Sequence, residues 1–294
     1  MDFRAIGMGL AFAFMWSSAF TSARIIVADA PPLTALAIRF LISGLIGVAI
    51  ARALGQSWRL TPAQWRATVL FGFCQNALYL GLNFVAMQTI EASLAAIIAS
   101  TMPLWVALAG WLVLGDRLRP LGLIGLLAGV LGVGIIMSAR LGGGGVDLFG
   151  VTLAGIGVLA LTFATLAVRG ATSGGNVLMI VGLQMLVGSA SLAVAGLALE
   201  SWQVNWTWQL GAAFAYTTLV PGLLATWVWF TLVNRIGAVR AATFHFLNPF
   251  LGVAIAAALL SEALGPRDML GVAVIAAGIL AVQWSKRAPA TQTA

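Results

Sequence analysis

Charge is what this chain has least of. Only 8% of its 294 residues are Asp, Glu, Lys or Arg, while 61% are hydrophobic. A soluble domain carries about 25% charged residues because its surface must be wet, so most of this surface does not face water. Cysteine is nearly absent too. The single one, Cys74, lies in an apolar stretch, which excludes an intrachain disulfide and a thiolate metal cluster and leaves the redox compartment unreadable. There is one histidine, His245, and all eight acidic residues fall at the ends of apolar runs or between them. Without a central Asp or Glu, one His and one Cys supply neither a nucleophile–base pair nor a metal-ligand set at depth. No enzyme, metal or cofactor is therefore expected. A selectivity-filter-like loop is missing as well, which counts against a channel.

What is present is long apolar sequence. From Ala5 to Ala28 the only ionisable residue is Arg24, and from Gly170 to Leu199 there is none. About 20 such residues at 1.5 Å each cross a bilayer. The alternating segments of about ten residues that make a membrane β-barrel are lacking. Turn residues and charges predict helices 1 to 10 over 5–28, 32–51, 67–88, 92–114, 120–139, 148–168, 175–199, 208–233, 237–260 and 267–285. Pro31-Pro32, Thr61-Pro62, Gly142 to Gly145 and Gly174-Gly175 punctuate them, and Pro120 and Pro266 open helices, where a missing N–H costs little. The apolar run that follows Met1-Asp2-Phe3-Arg4 exceeds the 7–15 residues of a signal peptide, so an uncleaved first helix is expected.

The excess of 15 Lys+Arg over 8 Asp+Glu gives a net charge of +7. In a soluble protein this would suggest nucleic acid. Here the basic residues sit in short loops without interleaved aromatics, and they set topology instead. With the N-terminus inside, eleven fall on the cytoplasmic side: Arg4, Arg52, Arg59, Arg66, Arg117, Arg119, Arg169, Arg235, Arg240, Lys286 and Arg287. Three fall outside (Arg24, Arg140, Arg267), and Arg39 lies within a helix. Both ends are thus expected in the cytoplasm, with the chain in the plasma membrane, a bacterial inner membrane.

A shift of 146 residues lays 90–132 on 236–278 without a gap, and Ile90/Ile236, Ala92/Ala238, Ala95/Ala241, Ala96/Ala242 and Pro103/Pro249 coincide. So do Leu114/Leu260, Leu118/Leu264, Pro120/Pro266, Gly125/Gly271 and Gly132/Gly278. Half the chain is five helices. Five is odd, so the second copy enters from the opposite side, the inverted-repeat plan of many transporters. The fold expected is an all-α integral membrane protein with repeats over 1–141 and 147–287 and a disordered tail over 288–294.

Trp16-Ser17-Ser18-Ala19-Phe20, Pro31-Pro32, Arg39-Phe40, Ala92 to Ala96, Pro103 and Leu114-Gly115-Asp116-Arg117-Leu118 resemble the EamA repeat. The chain therefore resembles the drug/metabolite transporter superfamily in its ten-helix form, most nearly the YddG-type amino-acid exporters. Helices 6–8 add little beyond hydropathy. The resemblance implies export of small metabolites, often amino acids, by alternating access between two halves. A polyspecific drug or toxic-compound exporter of the same superfamily is the alternative. Partners implied are a small-molecule substrate and the lipid bilayer, with a monomer as the expected state.

Polar side chains three or four apart mark the face of a helix that lines a watery cavity. Asn76, Tyr79 and Asn83 form such a strip in helix 3, and Trp16 and Ser17 begin one in helix 1. Hydroxyls such as Ser17 and Ser100 also serve as helix–helix glue. A primary amide has four hydrogen-bonding sites and seldom lies in hydrocarbon without partners. In helix 9, His245 and Asn248 share a face, and Pro249 and its equivalent Pro103 each remove one helical hydrogen bond, a mark of a transport site or a plain packing kink. Phe163, Trp227 and Phe244 could border an apolar substrate or face lipid. Arg39 is expected to snorkel, to pair with Glu91, or to bind substrate. Lack of a central carboxylate argues against cation antiport, and a lone arginine argues against phosphorylated sugars. Neutral or zwitterionic solutes fit best.

Overall fold

The structure, a computed structural model, describes residues 3–116, 119–142, 147–168, 174–237, 241 and 243–285. Arg117, Leu118, Gly143 to Gly145, Arg169, Arg240, Ala242, Lys286, Arg287 and the 288–294 tail lie outside the described residues, as does the start of the predicted ninth helix after Gly237. Ten apolar helices result: α1 (Phe3–Asp29), α2 (Pro32–Ala53), α3 (Pro62–Ala86), α4 (Ala92–Leu114), α5 (Pro120–Gly142), α6 (Leu148–Ala167), α7 (Val177–Leu199), α8 (Trp208–Ile236), α9 (Phe244–Leu260) and α10 (Pro266–Ser285). Nine are long and apolar enough to cross a bilayer, and α9 is the shorter tenth among the described residues. A bilayer core leaves backbone amides no water to bond, so helices that satisfy their own are the natural solution.

Caps set several ends. Thr61 accepts from the Gln64 amide at 3.3 Å while Gln64 Oε1 accepts from the Thr61 amide at 2.9 Å, a capping box with Pro62 in the first turn. It starts α3 at Pro62 rather than the predicted 67. The polar Gln64 and Arg66 read as loop but belong to the start of α3. Asp147 caps α6, accepting from Phe149 and Gly150 at 3.1 Å each.

The packing is two-fold. Helix α5 lies along α10, and glycines let the backbones touch: a Cβ at Gly125 would stand 2.6 Å from the Gly278 carbonyl, and one at Gly132 2.8 Å from that of Gly271. Residue number rises along one helix as it falls along the other, so the two are antiparallel. These glycines are also the repeat-equivalent pairs, so the same contact is made twice about one axis. An antiparallel contact between equivalent helices requires the halves to be inverted. Helix α2 meets α7 in the same sense, with a Cβ at Gly182 falling 3.1 Å from the Gly44 carbonyl. These two pairs flank a central group of α1, α3, α4, α6, α8 and α9.

Candidate functional site

Two irregularities interrupt the central helices, each at equivalent places in the halves. Gly72–Tyr79 of α3 and Thr218–Leu224 of α8 are π-helical, and 146 residues separate their starts. Pro221 explains the second, because its ring displaces the usual backbone bond. Glycine at 72 permits close approach to α7, where a Cβ would stand 2.7 Å from the Gln184 carbonyl. Helix α4 pauses at Thr101, before Pro103, and the chain enters α9 through a 3₁₀ segment, Thr243–Leu247, before Pro249. Such interruptions re-aim side chains and leave backbone groups unspent, and in membranes they are tolerated where they line a cavity.

A cavity of about 300 Å³ lies among them, walled by α1, α3, α4, α6, α7, α8 and α9. Of the expected site residues, Trp16, Asn76, Tyr79, Ser100, Pro103, His245 and Asn248 line it. No Asp, Glu, Lys or Arg does so among the described residues. Asn76 spends one amide hydrogen on the Gln184 carbonyl at 2.9 Å, so it also ties α3 to α7. Asn248 Nδ2 lies 3.0 Å from His245 Nδ1, a bond the amide donates when that nitrogen is unprotonated. The His245 ring stands edge-on to Phe12 at 5.2 Å, Trp229 at 5.1 Å and Trp16 at 6.4 Å. The lining therefore combines aromatic rings with amides and hydroxyls.

The remaining expected residues lie elsewhere. Phe163 and Trp227 are 58% and 57% exposed on the outer surface of the bundle, a correction to their expected place beside the cavity. Phe244 packs against Gly9, in a space no Cβ would fit. Ser17 is buried and reaches the Asn248 backbone carbonyl at 3.4 Å, and Pro249 is buried behind the wall. Asn83 is fully buried and donates to the Tyr79 carbonyl at 2.8 Å, while its Oδ1 has no partner. It faces a second chamber described below rather than the main cavity. Sequence reasoning set Gln75 at the edge of the helix 3 strip and left Trp229 between substrate and lipid; both are on the cavity wall, and Phe12, Phe20, Thr165, Gln184 and Thr226 there were missed. Thr226 and Trp229 stand three apart, a helical spacing that could have signalled them.

Arg39 is neither snorkelled nor paired as expected. It is 6% exposed, its Nε is buried without a partner, and its guanidinium lies 5.0 Å from the centre of the Phe40 ring. Among the described residues no group of three His, Cys, Asp or Glu is placed to hold a metal.

Inverted five-helix halves closing on a polar cavity at paired helix breaks define a membrane transporter. The chain belongs to the EamA-like transporter family, which it matches over residues 3–138 and again over 148–284. It is 27% identical over 275 residues to the uncharacterized transporter YvbV of Bacillus subtilis, covering 93% of this chain and 90% of that one. Over 120 residues, 39% of this chain and 40% of the other, it is 31% identical to the aromatic amino acid exporter YddG of Ancylobacter novellus. A solved structure named only "Crystal structure of protein" shares the fold, with a TM-score of 0.69 at 22% identity and coverage of 96% of both chains.

Proposed function

We propose that this transporter exports small metabolites, chiefly amino acids, by alternating access between its halves 1–141 and 147–287. The observation that carries the reading is the lining of the main cavity: amides and hydroxyls of Gln75, Asn76, Ser100, Gln184 and Asn248 together with Phe12, Trp16 and Trp229, and no Asp, Glu, Lys or Arg among its described residues. Amides donate and accept equally, which suits polar groups carried by a small solute without asking for a net charge. The aromatic rings accept an apolar body with little selectivity, since a methylene is worth only about 1–3 kcal/mol in such a pocket. A volume of about 300 Å³ is at the small end of ligand cavities. The name of the partial relative from Ancylobacter novellus points the same way.

The distribution of Arg and Lys supports a plasma-membrane orientation with both ends cytoplasmic, and the protein is read as a monomer in the bilayer. The test is counterflow in proteoliposomes with labelled phenylalanine, leucine, threonine and alanine. Saturable exchange of chemically unchanged solute is expected, with at least one aromatic or branched amino acid among those carried. Linear, unsaturable flux would indicate a channel. Absence of exchange for every amino acid in the panel would overturn the reading.

A further inference from the structure

A second, smaller chamber of about 50 Å³ adjoins the main cavity, with Trp16, Phe20, Gln75 and Tyr79 on the shared wall. It lies toward the end of the bundle that holds the α1–α2 turn, and Arg39 on α2 is on its wall. The guanidinium lies beside Gly222, just after Pro221, where a Cβ would stand in ordinary contact at 3.5 Å from Arg39 Nη2. Phe40 lies against it and Thr217 and Asn83 border the same space. Among the described residues no carboxylate borders it, and Arg39 Nε is buried without a hydrogen-bonding partner.

Arginine does not shed its proton in a protein, and a buried charge is tolerated only when something balances it. A single aromatic face balances it in part. The unmet need is for a planar acceptor that takes two parallel N–H bonds, which is the geometry of a carboxylate. The other unmet group on the wall, Asn83 Oδ1, is an acceptor and suits an N–H donor.

We propose that the Arg39 chamber is a carboxylate subsite: the guanidinium receives the single carboxylate of a transported solute whose apolar body lies in the main cavity against Trp16 and Phe20. This rests on the transport reading above and narrows its substrates to monocarboxylates, α-amino acids among them, whose ammonium can meet Asn83 Oδ1. The chamber is too small for the body of the solute, so the headgroup is read there and the side chain in the larger space.

The test compares matched pairs on the intact protein in detergent and in liposomes: phenylalanine against phenylalaninamide, and phenylacetate against phenylacetamide, by thermal stabilisation and by competition in counterflow. Each acid is expected to bind at least tenfold more tightly than its amide. Arg39→Gln should abolish that preference, and Arg39→Lys should retain part of it. Equal binding of acid and amide by the unmodified protein would overturn the subsite without touching the transport reading, and it needs no variant that folds. Preference for phenylacetate over phenylacetamide with no amino acid transported would leave the subsite standing and overturn the amino-acid reading. Stabilisation by chloride alone, with neither acid bound, would overturn the carboxylate assignment.

Discussion

At the end of the bundle beyond Arg39, carboxylates of the second half cap helices of the first. Glu262, after α9, accepts from the Ala92 and Ser93 amides that open α4, at 2.8 and 3.0 Å. Glu200, after α7, accepts from the Leu33 and Thr34 amides of α2 at 2.7 and 2.9 Å and from the Thr34 hydroxyl at 2.8 Å. If the halves move against each other, these bonds exist only while that end is closed. A cap is worth about 1 kcal/mol, and a charge at a helix N-terminus adds about 0.3–1 kcal/mol. Glu262→Ala should therefore cost the closed state about 1–2 kcal/mol, a 5–30-fold shift toward opening. The shift can be read by thiol labelling. With Cys74 replaced by Ser, Ala23→Cys places a thiol on the wall of the Arg39 chamber, at a position 1% exposed. Its reaction with a membrane-impermeant maleimide, applied to the face bearing the α1–α2 turn, should quicken by the same 5–30-fold on adding Glu262→Ala. A rate unchanged within about twofold in a variant that melts normally would remove Glu262 from the gate. Faster labelling from both faces would indicate loosening of the fold, and the gate argument would fail equally.

Four further outcomes are expected. Asn248→Leu removes the partner of His245 and a cavity amide, and should cut transport at least tenfold, because an unmet polar contact costs about 1–3 kcal/mol. Full transport would assign Asn248 to packing. Trp229→Ala, on the cavity wall, should weaken aromatic substrates more than alanine in counterflow, whereas Trp227→Ala, 57% exposed, should change neither, and the reverse order would show that the assigned faces are interchanged. Gly278→Leu forces a side chain into the backbone contact with Gly125 and should prevent a monodisperse fold on gel filtration. Thr89 donates to Asp147 at 2.6 Å, and this bond, ahead of those from the Gly150 and Phe149 amides, lowers the Asp147 pKa below the usual Asp range despite some desolvation. A lowered native pKa means the tie is present at neutral pH and lost as the pH falls through and below that range. Thr89→Val should raise the Asp147 titration midpoint by NMR, and an unmoved midpoint would remove Thr89 as the cause.

The helices and their inversion were legible in the residues, for reasons local to each segment. Crossing hydrocarbon takes about 20 apolar residues whatever the neighbours are, so the spans could be read one at a time. The 146-residue offset then aligned Pro103 with Pro249 and Gly125 with Gly271, and an odd number of helices per half forced opposite entry. Even the paired π-helical segments of α3 and α8 obey that offset, although nothing in Gly72–Tyr79 announced one. Faces were a different matter. Trp227 and Trp229 are the same residue type two positions apart, about 200° around the helix, and only the fit of Trp229 against Phe12 and His245 decided which turns inward. Phe163 and Thr165 of α6 pose the same choice, and the bundle sends the aromatic to the surface and the hydroxyl to the cavity. In α3 an extended i, i+3, i+4 strip put Asn83 beside Asn76, but the π-helical turn between them carries Asn83 into the neighbouring chamber. Arg39 is the sharpest case. Its charge was plain from the sequence. Whether that charge had a partner depended on side chains from α1, α3 and α8, which only the tertiary structure brings around it.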